Sequence, residues 1–186
     1  MKKKVKILIV ILLIILIAAI SYILLFGKNN KHNIIDGETA LEIAKEKYER
    51  LLNYTSGNYI NLSSEPSNSE CYSWEDDVYY LKIDNYKETI ENDITDDFKS
   101  DFNYIAQIIE KDGIYYINTD SLSREKDQTY VSTQLIVTSV NADEIICEAQ
   151  STYKNYVDNV TNKISRKFIL KKVNENWKVS KFELPY

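Results

Sequence analysis

Apolar residues run unbroken from Ile7 to Phe26, as ILIVILLIILIAAISYILLF, before the chain turns polar at Lys28-Asn29-Asn30-Lys31-His32-Asn33. At about 1.5 Å of rise per residue, a helix over this run reaches roughly the 30 Å hydrocarbon core of a bilayer. Lys2, Lys3, Lys4 and Lys6 flank one side, so the positive-inside bias keeps the N-terminus in the cytoplasm and sends the rest outside. A cleaved signal peptide is the competing reading. Its apolar region spans about 7–15 residues and stops at a small-x-small site. Ala19-Ile20-Ser21 is such a site, but Tyr22-Ile23-Leu24-Leu25-Phe26 follows it, and a span uses those residues where a cleaved leader does not. The pattern predicts a single-pass anchor over 7–26, with 1–6 as a cytoplasmic tail, 27–36 as a tether and 37–186 as one extracytoplasmic domain. Secretion after cleavage is the alternative. No cysteine lies near the end of the run, which excludes lipoprotein processing.

Beyond the tether the period changes. Leu41, Ala44, Tyr48, Leu51 and Leu52 recur at helical spacing opposite Glu42, Lys45, Glu46 and Glu49. Asp36 and Thr39 are N-cap candidates, Thr39-Ala40-Leu41-Glu42 has capping-box spacing, and the helix should end near Asn53. Between Tyr54 and Asp77 the period vanishes, and Ser63-Ser64-Glu65-Pro66-Ser67-Asn68-Ser69 is turn chemistry. Val78 to Ile83 reads as a strand with Tyr79, Leu81 and Ile83 on one face. Asn85 to Glu88 caps a short helix around Ile90, and Thr95 recaps a second segment. Ile90, Ile94, Phe98, Phe102 and Ile105 form its apolar side, with Asp93, Asp96, Asp97 and Asp101 opposite.

Strands follow. Ile108-Ile109 and Ile114–Ile117 flank a turn at Lys111-Asp112-Gly113. Asn118 to Gln128 reads as a polar loop. Val131–Val140 and Glu144–Tyr153 make a hairpin about Asn141-Ala142-Asp143, and Ile164–Val173 and Trp177–Leu184 another about Asn174-Glu175-Asn176. The order predicts an α+β domain, its helices packed on one face of a curved antiparallel sheet in a cone or cystatin-like meander.

Charge sharpens this picture once the topology is applied. The 23 basic residues less the four N-terminal lysines leave 19 against 28 acids, about −9 for the exported part. An acidic ectodomain does not suit nucleic acid, anionic lipid or wall teichoic acid bound through a basic patch, and it suits a basic protein partner, or simply solubility. Cys71 and Cys147 are candidates for a disulfide in an exported domain. It would close a loop of roughly 77 residues worth up to about 4 kcal/mol, and two unpaired thiols are the equal alternative.

Little in the sequence carries catalysis. The single histidine, His32, lies in the tether, so His-based triads and Cys–His pairs have no base. Two distant cysteines give no zinc spacing, four glycines make no phosphate loop, and no calcium loop occurs. We therefore expect no cofactor and no metal. Paired carboxylates, for instance Glu75 or Asp76 with Asp97, are the remaining enzymatic option. Glu75-Asp76-Asp77 also sits beside Tyr72 and Trp74 in the aperiodic segment, and aromatics with acids on a loop suit the anchor and rim of a protein interface. Tyr72, Trp74, Glu75, Asp76 and Asp77 are the candidate partner-binding residues. Trp177 and Phe182 read as core.

The stretch VYYLKIDNYKETIENDITDDFKSDFNYIAQIIEKDGIYYIN resembles the centre of the DL-endopeptidase inhibitor (IseA-like) family of Gram-positive bacteria. There a strand leads to a helix, an acidic-Phe helix, and a strand turning at Asp-Gly into an aromatic strand. ALEIAKEKYERLLNY before it and FILKKVNENWKVSKFEL at the end are similar too, so the resemblance covers about residues 38–186. It implies a protein that is not an enzyme, and that binds secreted NlpC-type cysteine peptidases of the cell wall and covers their catalytic clefts. The family members compared are secreted free of the membrane, and the anchor is where this chain departs from them. The Lys-x-Val-x-x-x-Trp-x-Val hairpin also resembles the close of nuclear-transport-factor-like cone domains. That implies the alternative: an anchored module that binds a small ligand or an envelope-complex partner.

Overall fold

A computed structural model describes residues 34–63, 72–73, 78–124 and 126–186 of the chain. Ile35–Tyr186 forms one compact unit and contains the whole described apolar core, so this unit carries its own fold. Among the described residues no helix is long and apolar enough to cross a membrane; the run 7–26 lies outside them.

Helix α1 spans Gly37–Tyr54. Asp36 caps it, accepting 2.8 Å from the Thr39 backbone N–H and 3.0 Å from the Thr39 hydroxyl, while Thr39 itself lies inside the first turn. Ala40, Ala44, Tyr48, Leu51 and Tyr54 form its buried stripe, the face the period predicts. The helix ends where Gly57, at φ +74°, turns the chain away.

The strands form two antiparallel sheets rather than a single curved one. The first sheet holds β1 (Leu62–Ser63), β2 (Tyr72–Ser73), β3 (Val78–Ile83), β4 (Ile108–Lys111) and β5 (Ile114–Asn118). Its order is β1-β3-β5-β4, and β2 also pairs with β3, at the end away from β1. Asp112 (φ 52°) and Gly113 (φ 77°) are both left-handed, as a two-residue type I′ hairpin requires. The central strand β5 buries Tyr115, Tyr116 and Ile117 in succession, because both of its faces are covered.

The second sheet is a four-stranded meander of β6 (Tyr130–Val140), β7 (Glu144–Lys154), β8 (Thr161–Val173) and β9 (Asn176–Lys181). Its last turn is tighter than the sequence suggests. Val173 pairs with Asn176, leaving Asn174 (φ 49°) and Glu175 (φ 66°) as a type I′ turn, and β9 stops at Lys181 rather than Leu184. Thr95 N–H donates to the Val179 carbonyl at 2.9 Å beside a bridge from Ile94, so the free edge of β9 is covered.

Helices α2 (Ile90–Asp93), α3 (Lys99–Ala106) and α4 (Thr119–Leu122) are short. A 3₁₀ turn over Asp96–Phe98 leads into α3. Helix α4 stands where the sequence reads as loop. Asn118 caps it, taking the Asp120 N–H at 2.8 Å.

The space between α1 and the second sheet is filled by aromatic rings. Tyr48 meets Phe168 edge-on at 5.1 Å and Phe182 at 5.4 Å, and Phe102 of α3 lies 6.4 Å from Phe182. Phe182 is core, as expected, whereas Trp177 is only half-buried and packs against the core from its margin.

Candidate partner-binding surface

Helix α3 presents the most conspicuous side chain of the first half of the domain. Phe102 and Ala106 point inward, so Tyr104, two residues from each, points out and is 87% exposed. Gln107 adopts the left-handed conformation (φ 55°), and its N–H closes the helix on the Asn103 and Tyr104 carbonyls.

The frame beneath Tyr104 is fixed from three sides. Tyr86 donates its hydroxyl to Asn103 Oδ1 at 2.6 Å, and its ring stacks on Tyr115 at 3.6 Å. Lys99 Nζ lies 2.9 Å from Glu91 Oε1 and 4.9 Å from the Tyr115 ring centre. Burial opposes the Lys99 charge, yet the Glu91 carboxylate and Tyr115 outweigh it and hold the ammonium above its ordinary pKa. Burial pushes the Tyr86 hydroxyl up. Arg124 donates to the Ile105 carbonyl at 3.3 Å, tying α4 to the end of α3.

Tyr104 stands between two open depressions. One, of about 560 Å³, includes Tyr80, Gln107, Ile109, Asn118, Arg124 and Glu183 in its lining. The other, of about 600 Å³, includes Phe98, Asp101, Lys181 and Glu183. An exposed ring over half-buried apolar side chains, with Asp101 and Glu183 at the margin, is the arrangement of an interface anchor and its polar rim.

Of the predicted partner-binding segment, only the backbone of Tyr72 is described. Tyr72 lies in β2, with Ser73 paired to Val78, and Tyr80, two residues along β3, lines the first depression. Trp74, Glu75, Asp76 and Asp77 lie outside the described residues, as does Cys71. Cys147 is a free thiol, fully buried on β7, and burial raises its pKa to about 11. Asp97, the partner imagined for Glu75 or Asp76, sits at the surface with its side chain 68% exposed, 3.5 Å from Lys171 Nζ.

Among the described residues the best-formed polar cluster is elsewhere. Asp93 receives Lys47 Nζ at 2.5 Å, Arg50 Nε at 2.6 Å and the Tyr54 hydroxyl at 2.5 Å, locking α2 to α1. Burial would raise the Asp93 pKa, but these three donors outweigh it and hold the carboxyl below the usual range. Every lone pair in use faces a donor of the fold itself, so this cluster is structural. Among the described residues no group of three or more potential metal ligands converges.

No family model matches this chain. No curated protein matches it either.

Tyr104 belongs to neither the apolar side of Phe98, Phe102 and Ile105 nor the acidic side read from the sequence, so the sequence reading did not mark it. The available signal was its offset of two residues from Phe102, which sets it on the opposite face.

Proposed function

We propose that this protein is a membrane-anchored, extracytoplasmic inhibitor that binds NlpC-type cell-wall DL-endopeptidases and covers their active-site clefts. The anchor is the 7–26 run, and the acidic charge of the exported part complements a basic rim around a cleft, favouring encounter and register. The reading rests most on one observation: the interior is filled while an aromatic side chain is offered outward on a rigid frame. Tyr48, Phe168 and Phe182 pack on one another between α1 and the second sheet, where a ligand-binding reading needs open space. That packing favours protein recognition over the alternative of a ligand-binding cone domain. The depressions beside Tyr104 are open grooves suited to a partner's surface rather than enclosed pockets.

Titration calorimetry of the Ile35–Tyr186 domain against purified NlpC-type catalytic domains tests this reading. A one-to-one complex that weakens as salt rises supports it. Absence of heat across a panel of such domains, with saturable uptake of a small apolar ligand instead, would overturn it.

A further inference from the structure

The β7–β8 hairpin ends in a loop over residues 155–160 that projects apolar side chains into solvent. Val157 is 96% exposed, Tyr156 66% and Val160 47%. Val131 and Ile164, on the strands leading to this end, are 52% and 45% exposed. Five of the eleven large apolar residues exposed among the described ones thus gather on this one end of the second sheet.

The loop is a built structure. Asn155 N–H donates to the Val160 carbonyl at 2.9 Å. The Asn155 side chain takes the Val157 N–H at 2.9 Å, and the Asp158 carboxylate takes the Val160 N–H at 3.0 Å. Three backbone donors are satisfied inside the loop, which lowers the cost of moving its tip out of water.

The loop itself carries one acid and no base, and the two lysines beside it tip this end to a net positive charge, against that of the domain. Lys154, 5.7 Å from the Tyr156 ring centre, and Lys163, bonded to Gln150 at 3.1 Å, flank the apolar tip. Asp158 is the loop's single acid, and its carboxylate is engaged by the backbone. An acidic domain beside an anionic bilayer is repelled on most of its surface, and this basic, apolar end is the exception. Aliphatic side chains, a tyrosine and snorkelling lysines are the combination that seats at a membrane–water interface.

We propose that the Tyr156–Val157 tip inserts into the interfacial layer of an anionic lipid bilayer, with Lys154 and Lys163 meeting the headgroups. The inference rests on the anchored, extracytoplasmic reading above, because anchoring makes contact with the bilayer an effectively intramolecular event. Three apolar side chains then suffice where a free protein would need more. Insertion would fix which surfaces the domain turns toward the wall.

The test uses the full chain reconstituted in vesicles, with an environment-sensitive fluorophore on Val157→Cys in a Cys71→Ser background; Cys147 is buried. Tyr104→Cys carries the reference label. We expect blue-shifted emission and quenching by nitroxide-bearing lipids at position 157 alone. The signal should weaken on neutral phosphatidylcholine vesicles relative to phosphatidylglycerol-containing ones, by roughly five-fold for each lysine engaged. A label at 157 that behaves like the one at 104 on both vesicle types overturns the proposal. So does a shift at 157 that appears only on adding a peptidase, which would make the tip a protein contact. An alkaline carbonate wash separates the two readings. Chain retained with a silent 157 sinks the tip alone, chain released with a quenched 157 sinks the anchor alone, and chain released with a silent 157 sinks both.

Discussion

Tyr86 and Tyr115 stack with ring centres 3.6 Å apart and planes 6° from parallel, joining the turn after β3 to β5. Lys99 caps the stack from α3, and Tyr86 holds Asn103 on the same helix. The result is a helix whose outward residue, Tyr104, is carried on a preorganised base. Preorganisation matters because ordering a mobile aromatic on binding costs part of the interaction it makes.

Tyr104→Ala should therefore separate binding from folding. Its side chain is exposed, so stability should stay within about 0.5 kcal/mol of the parent. Binding of a peptidase domain should weaken by about 2 kcal/mol, some thirty-fold, as expected for a central aromatic anchor. Calorimetry and a urea melt on the same sample check both. Equal affinities would remove Tyr104 from the interface.

The Asp93 cluster governs stability at acid pH. Its pKa is held below that of the unfolded chain, so its contribution is complete above the ordinary carboxylate value of about 3.9 and is lost as pH falls through the folded pKa. Asp93→Asn should cost about 3 kcal/mol at neutral pH, near the low end for a broken buried pair because Arg50 reaches solvent. The gap between variant and parent should narrow as pH drops below the carboxylate range. Urea midpoints measured across that range would show it.

Gly57 is held at φ +74°, and a Cβ there would stand 2.4 Å from Leu122 Cδ2. Gly57→Ala should destabilise the domain by about 1–2 kcal/mol, a drop of several degrees in melting temperature. A thermal melt is sufficient to see it.

Cys147 should resist thiol reagents in the native protein at mildly alkaline pH, since it is buried and its pKa is about 11. Peptide mapping after alkylation should find it unmodified without urea and modified with it. Native-state labelling of Cys147 would show that β7 opens readily.

Much of the local structure was legible in the chain, and the exceptions share a cause. Asp36, the α1 stripe and the Asp112-Gly113 turn are set by neighbours a few residues apart, so short-range pattern reveals them. Which strands share a sheet is decided at long range. Nothing in the alternation of Val78–Ile83 tells that it pairs with Ile114–Asn118 while Tyr130 begins a separate sheet. Helix α4 was hidden because its four residues are too few to show a period, although the capping Asn118 was in view. The candidate surface was not legible in the same way. Aromatics with acids drew attention to Tyr72–Asp77, but Tyr104 and Val157 stand out by exposure, which depends on where the core ends.

The central claim is inhibition of a wall hydrolase, and peptidoglycan digestion tests it most directly. The Ile35–Tyr186 domain would be titrated into purified NlpC-type endopeptidases acting on isolated wall, at low and high salt. Protection reaching completion at a one-to-one ratio, and eroding as salt rises, is the predicted result. Undiminished digestion at every ratio and for every peptidase in the panel would contradict it.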